Sequence, residues 1–264
     1  MKELLNNGEE IEFCPNRFYH LWIKCDIKSI PSESMNEGVF AETLILGGGA
    51  RGNALYDLPR HKKNGSKLAN QTRIEIQAER AKMTALKHNI TIQSDVNTQV
   101  TIKKIINGVL CKGELDLFPV TLSNFDGNES PVPCFIDLKF TGNMNSTFGY
   151  NNNPGWGDYE NMDHTQMDMY HELIRDIDFK LNDHLTEEQV FYIKLMDDKL
   201  KEKGVEYMGY YWLFDYKVPV ENLNDKFFGY TYTKIKQKSL YEAIRKTVSI
   251  IEYHNELEDW DHCV

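Results

Sequence analysis

Asp137 and Lys139 stand two apart in the run Cys134-Phe-Ile-Asp-Leu-Lys-Phe140. In an extended strand that spacing puts both side chains on one face. A carboxylate and an ammonium side by side in so apolar a strand are costly unless they are paired or used. Asp116 lies near the end of the preceding β-prone run and reaches Asp137 if the two runs pair. Two carboxylates converging with a lysine suit one task. The carboxylates offer oxygen ligands to Mg²⁺ or Mn²⁺, and such a metal polarises a phosphoryl oxygen and lowers the pKa of a bound water. The lysine then orients that water or offsets charge in the transition state. Further along, Gln166 and Tyr170 are four apart, the spacing of side chains that share a helix face. Singly, each piece has an ordinary explanation: Asp-x-Lys is a common surface pair, Tyr170 fits an apolar stripe, and Gln166 fits its polar margin.

The elements that must position these residues follow from pattern. Gln71 to His88 contains no Gly or Pro and many good helix formers, so a helix is expected. Gln99 to Ile106 and Val109 to Phe118 flank Asn107-Gly108, the dipeptide of a type I′ hairpin turn. The polar stretch Thr121 to Pro133 follows, and Cys134 to Phe140 reads as a third strand. After a Gly/Asn-rich loop, Thr141 to Asp163, a helix is expected from His164 to Asp178 with Asp163 as its N-cap; Met167, Tyr170, Ile174 and Ile177 recur at helical spacing. Thr186-Glu-Glu-Gln189 is a capping box that opens another helix, Glu206 to Lys217 reads as a strand, and Ser239-Leu-Tyr-Glu242 is a second capping box. An aromatic segment, Phe13 to Ile27, reads as a short helix. Helix, hairpin, strand, helix, strand, helix is the order of an α/β or α+β domain with a mixed central sheet flanked by helices. Leu46-Gly-Gly-Gly-Ala-Arg-Gly-Asn53 matches G-x-G-x-x-G formally. It lacks the Gly-Lys-Ser/Thr ending of a P-loop, and Pro59 and Asn64-Gly65 follow too soon for a long helix, so a turn is the expectation.

With these motifs in order, Gly113-Glu-Leu-Asp116, Asp137-Leu-Lys139 and Gln166-x-x-x-Tyr170, the sequence resembles the PD-(D/E)xK nuclease superfamily, in particular its RecB-like branch. The match spans Gly113 to Tyr170. The resemblance implies a restriction-endonuclease-like core and a Mg²⁺- or Mn²⁺-dependent (exo)deoxyribonuclease acting on DNA. It also implies a metal held by Asp116, Asp137 and the main-chain carbonyl of Leu138, with Lys139 in catalysis and Gln166 and Tyr170 shaping the site or contacting nucleic acid. The family often carries an upstream His or Glu near the site. Here His61, Tyr56, Glu75 and Glu79 compete for that role, and Glu79 is chosen because a helix carboxylate can supply an extra metal ligand. Some RecB-like nucleases hold an iron–sulfur cluster through one early and three late cysteines. Cys14 is early but Cys263 alone is late, so no iron–sulfur cluster is expected.

Composition bounds these readings. The 264 residues are expected to form one nuclease-fold domain over 1–264, with 1–70 as an N-terminal extension. The net charge of −10 runs against the basic excess usual in nucleic-acid binders. A bound cation can bridge acidic side chains to phosphate, and Arg60-His61-Lys62-Lys63, Lys103-Lys104 and Lys234 to Lys238 are basic runs that could face DNA, or simply be solvated. The acidic balance keeps alive a second class, a nuclease-fold DNA-binding or assembly protein with little catalysis. Five cysteines without a C-x-x-C pair argue against zinc-ribbon, thioredoxin-like and secreted disulfide frameworks. No apolar leader or membrane-length run is found, so a cytoplasmic setting (a host's, for a mobile element's protein) and no membrane partner are expected. Paired carboxylates also serve glycosidases, but those have no use for a lysine locked beside one of them. No G-x-S-x-G elbow is present.

Overall fold

A computed structural model describes residues 3–4, 10–11, 33–47, 66, 69–123, 131–141, 144–148, 154–215 and 225–257. The expected helix at Phe13 to Ile27 lies outside the described residues, as do Tyr56, His61 and the Arg60 to Lys63 run. A two-residue ladder joins β1 (Glu3–Leu4) to β2 (Glu10–Ile11). Helices α1 (Glu33–Leu46) and α2 (Ala69–Lys87) follow, then β3 (Thr98–Ile106), β4 (Val109–Leu122) and β5 (Val132–Thr141). A 3₁₀ segment (Trp156–Asn161) precedes α3 (Thr165–Ile174) and α4 (Glu187–Lys203). Strands β6 (Met208–Asp215) and β7 (Asp225–Tyr230) and helix α5 (Lys234–Leu257) complete the order.

The five strands β3 to β7 form one sheet in sequence order. All pairs are antiparallel except β5 and β6, which run parallel through the crossover that contains α3 and α4. This is the mixed sheet flanked by helices that the pattern predicts. The hairpin turns at Asn107 and Gly108, both at positive φ (51° and 81°), as a type I′ turn requires. One face of the sheet packs Met167, Tyr170 and Leu173 of α3 and Ile193, Met196 and Leu200 of α4 against Val100, Ile102, Phe135, Tyr211 and Leu213. The other packs Ile45 and Leu46 of α1 and Ala78, Ala81 and Ala85 of α2 against Ile136, Leu138, Trp212 and Phe214. Helix α5 adds a smaller cluster, Leu240 and Ile244 with Ile106. Among the described residues no helix is long and apolar enough to cross a membrane.

Several expectations are corrected. The helix bearing Gln166 runs from Thr165 to Ile174, four residues short of Asp178, because Asp176 takes a left-handed φ of 52° just beyond it. Its N-cap is His164, although Asp163 Oδ1 still accepts the Thr165 N–H at 2.9 Å. Thr186 does form its capping box with Gln189, but Ser239 does not open a helix. Helix α5 begins at Lys234, where Thr233 Oγ1 accepts the Lys236 N–H, and nothing between there and Ser239 breaks it. Lys104 does not belong to a DNA-facing run: its ammonium donates to the Glu172 carbonyl at 2.7 Å and to the Arg175 carbonyl, satisfying the C-terminal end of α3. Gly47, at φ 85°, closes α1 with its N–H on the Thr43 carbonyl. The formal glycine motif therefore follows a helix rather than the strand a dinucleotide site requires. Strand β7 and helix α1 escape the pattern reading. The first is six residues long, and the second carries Gly38 within it.

Helix α3 lies directly on β4 at Gly113. A Cβ there would meet Leu173 Cδ1 at 2.5 Å and Tyr170 Cε1 at 3.2 Å. The first residue of Gly113-x-x-Asp116 is thus a packing requirement that brings the helix of Gln166 and Tyr170 down onto the strand of Asp116. Gly113→Val is expected to cost about 1–3 kcal/mol through overpacking, several degrees in a thermal melt followed by circular dichroism; an unchanged Tm would contradict this contact.

Candidate active site

Asp116 sits where two ladders lapse together. On its β3 side the register runs Thr98↔Leu117 and then Val100↔Leu115, with no Gln99/Asp116 pair between them, and Gln99 takes a φ of 50°. On its β5 side the ladder reaches Leu117↔Ile136 and ends, after a bulge between Leu117 and Val120. The chain turns over at this point. Leu115 packs on the face covered by α3, whereas Leu117 packs on the face covered by α1 and α2, although residues two apart in a regular strand share a face. Irregularities of this kind re-aim side chains and end pairing. Beyond the last rung, Asp116 Oδ2 accepts the Leu138 N–H at 2.7 Å. The carboxylate occupies the gap that opens between β4 and β5.

Asp137 and Lys139 point together from β5, and Lys139 Nζ is 2.8 Å from Asp137 Oδ2. Lys139 Nζ also donates to Gln166 Oε1 at 2.8 Å. Gln166 Nε2 donates to Tyr170 Oη at 2.7 Å and, at 3.3 Å, to Asp137 Oδ1. Tyr170 Oη in turn donates to the Glu114 carbonyl at 2.8 Å. One continuous chain therefore links Asp137, Lys139, Gln166 and Tyr170 and anchors itself to the main chain of β4, two residues before Asp116. Asp137 is 2% exposed, while the Lys139 side chain keeps 32% of its surface in solvent. The network thus has a buried acidic end and an accessible cationic one.

Glu79 is not brought to this cluster. It is exposed on α2 and pairs with Lys82 at 2.8 Å. The carboxylate that approaches from upstream is Glu42 on α1, which is 8% exposed and accepts a hydrogen bond from Gln99 Nε2 at 2.6 Å. Burial pushes the Asp116 carboxyl well above the usual carboxylate range, and the charges of Asp137 and then Glu42 push it the same way; the Leu138 N–H and Lys139 oppose them. Glu42 was hidden from the sequence because it lies in a helix that the pattern does not reveal. The signal that could have found it is an isolated acid in the run Val39-Phe-Ala-Glu-Thr-Leu-Ile-Leu46.

The donors gathered here are all oxygen. Asp116, Asp137 and Glu42 are buried carboxylates, and the charges of Asp137 and Glu42 bear on Asp116, a repulsion that a hard divalent cation would relieve. Among the described residues no three His, Cys, Asp or Glu side chains are grouped so that they could hold a metal ion. The fit therefore rests on the chemistry of the donors and on their burial as like charges.

Comparison with known proteins adds evidence at the level of fold. No family model matches the chain, and no curated protein does. Among solved structures, the chain is similar to a protein described as a "Putative exonuclease" from Eubacterium rectale. The TM-score is 0.52 at 12% identity, over 89% of this chain and 72% of that one. At that identity the likeness shows a shared fold, in this chain a five-stranded mixed sheet with flanking helices.

Proposed function

We propose that the gap between β4 and β5 is the active site of a metal-dependent nuclease that hydrolyses phosphodiester bonds in DNA. The observation that carries this reading is the single hydrogen-bonded chain through Asp137, Lys139, Gln166 and Tyr170, closed beside the buried Asp116. The fold shared with a "Putative exonuclease" supports the reaction class and favours, by analogy, attack at strand ends.

Asp116 and Asp137 would hold Mg²⁺ or Mn²⁺, with Glu42 replacing Glu79 as the upstream carboxylate. The Leu138 carbonyl is a further donor. In an extended strand the N–H and C=O of one residue turn to the same neighbour, so this carbonyl faces the gap in which Asp116 accepts the Leu138 N–H. When bound, the cation supplies Lewis acidity toward the phosphoryl oxygen and makes a water nucleophilic near neutral pH. The protein's own groups do the rest. Lys139, the partly exposed cation, positions the attacking water and offsets charge that develops on the phosphate. Gln166 holds Lys139 and Asp137 in register by donating to one and accepting from the other. Tyr170 fixes Gln166 against β4, so the helix and the two strands keep one geometry. A binding protein without catalysis, which the net charge of −10 would suit, is the reading an inactive wild type would select.

Labelled linear DNA should be degraded in Mg²⁺ or Mn²⁺ and spared in EDTA. Asp137→Ala and Lys139→Ala should each lower the rate on the order of 10²–10³-fold while leaving the circular dichroism spectrum native. Undiminished cleavage in EDTA, or by both variants, overturns the reading.

Metal binding can be tested apart from cleavage. Mn²⁺ at about a hundred times its Kd should stabilise the fold by roughly 2.7 kcal/mol, read as a rise of several degrees in Tm. Asp116→Asn and Glu42→Gln should reduce that rise, and Glu79→Ala should not. Asp116 also carries a sign. Its carboxyl is held above its ordinary range, so the ionised form destabilises the metal-free fold, and the penalty grows as pH rises through the folded value. In EDTA at neutral pH, Asp116→Asn should therefore melt higher than wild type, with the gap closing in acid. A lower Tm, or a full Mn²⁺ response in this variant, would contradict the assignment.

A further inference from the structure

The basic run Lys234 to Lys238 divides in the fold. Lys236 is engaged: its ammonium donates to the Thr231 carbonyl at 3.0 Å and lies 3.9 Å over the Tyr230 ring. Lys234 and Lys238 are exposed, as is Arg245 seven residues further on. That spacing keeps the three on one side of α5. They line a hollow of about 280 Å³ between α5 and the hairpin turn at Asn107. None of the three side chains has a hydrogen-bond or ion-pair partner in the fold, although Glu242 lines the same hollow. The other lining groups are already satisfied. Gln237 Nε2 and Tyr241 Oη each donate to Glu172 of α3 at 2.7 Å, which fixes α5 to the helix that carries Gln166 and Tyr170. The cations stand against the helix's own preference. The first turn of α5 holds Lys234 and Lys236 and no acid, where the helix dipole favours negative charge, and Lys234 and Lys238 repel each other at i,i+4.

We infer that this hollow is a second contact for DNA, holding backbone phosphates at a distance from the acidic gap. The inference rests on the nuclease reading for the identity of the polymer and deepens it by giving the substrate a path. Unpaired cations gathered on one side of a helix are the electrostatic footprint of a nucleic-acid binder, here on a chain whose net charge is −10. The stripe from Lys234 to Arg245 is about 16 Å long at ~1.5 Å per residue. One strand of a duplex presents a phosphate every ~3.4 Å of axis, so the stripe faces about five of them. It suits an extended polyanion better than a single small anion. The hollow is also smaller than the ~300–1,000 Å³ of sites that enclose small molecules. Hollow and gap lie on the same face of the sheet, the one that α3 covers, and Cys111 and Met169 pack into the clusters under both α3 and α5. Asp116 is nine residues beyond Asn107, so the two are at most about 30 Å apart, the length of about nine base pairs. At the gap a bound cation has to bridge carboxylates to phosphate. At the hollow the protein's own cations meet phosphate directly.

The test is fluorescence anisotropy with the full chain carrying Asp137→Asn, which on the nuclease reading cannot cleave. The probe is a labelled duplex of about 20 base pairs, long enough to reach from gap to hollow at ~3.4 Å per pair. Binding is followed in EDTA over a series of NaCl concentrations. Each phosphate contact contributes about 0.9 to the slope of log K against log[salt]. Lys234→Ala, Lys238→Ala and Arg245→Ala together should lower that slope by about 2–3 and weaken binding at least about tenfold at low salt. Lys238→Ala alone should lower it by about 0.9, and Lys238→Arg, which keeps the charge, should not. Lys180→Ala, Lys199→Ala and Lys201→Ala together change the net charge equally, away from the hollow, and should leave the slope unchanged. An unchanged slope in the hollow variants, or an equal fall in this control, overturns the inference. Cleavage by the wild type in Mg²⁺ is measured in parallel. A wild type that cleaves while the hollow variants keep the full slope removes the second contact and leaves the nuclease. A slope that depends on the hollow, with no cleavage, removes the nuclease and leaves the DNA contact.

Discussion

The hydrogen bond from the Leu138 N–H to Asp116 Oδ2 does the work of a ladder rung at the point where β4 and β5 stop pairing. A main-chain donor buried at that position must find an acceptor. Had β4 supplied one, the ladder would have continued and the side chains of β4 would have kept their alternation. Instead Gln99 takes a left-handed backbone, the strand turns over between Leu115 and Leu117, and a carboxylate takes the acceptor's place. Strand pairing, the burial of Asp116 and the approach of Asp137 are thus fixed by one local departure from regular sheet. The cost of that departure is met by the cores on both sides, since Leu115 and Leu117 are each fully buried on their separate faces.

The same constraint explains why the surrounding elements are arranged as they are. Buried carboxylates close together raise one another's proton affinity, and Asp116 feels both Asp137 and Glu42. Lys139 pairs with Asp137 and stays partly in solvent. Helix α3 contributes no charge at this point. It contributes the neutral amide of Gln166, which donates and accepts at once and so holds an acid and a base without changing the balance. Gly113 lets that helix approach closely enough to do so. Tyr211 belongs to the same construction, because it occupies the strand position next to Asp137. Burial and then the Asp137 charge drive the Tyr211 phenol far above its ordinary range.

Much of this was legible in the residues. The hairpin is announced by Asn107-Gly108, the third strand by its apolar run, and the shared face of Gln166 and Tyr170 by their spacing. Local chemistry decides each of these, so each can be read locally. The failures are those of non-local choice. Ser239 makes a formally good capping box, but Thr233 caps first and the helix simply runs through. Lys104 reads as part of a basic surface run until α3 places its last carbonyls against it. Glu79 and Glu42 are both helix acids with nothing in their immediate sequence to separate them. Only the packing of α1 over β5, and the Gln99 contact it allows, selects Glu42. The alignment of Asp137 with Tyr211 and Phe228 could not be read at all, because it is a register across three strands, one of which, β7, is too short for its pattern to stand out.

The gap beside Asp116 is proposed as the cation site. The most direct measurement is anomalous diffraction from crystals of the full chain grown or soaked with Mn²⁺. The result expected is an anomalous peak between the Asp116 and Asp137 carboxylates, within ligand distance of the Leu138 carbonyl and absent from Asp116→Asn crystals. A structure that shows Mn²⁺ bound elsewhere, with Asp116 still closed on the Leu138 N–H and no peak in the gap, would contradict it.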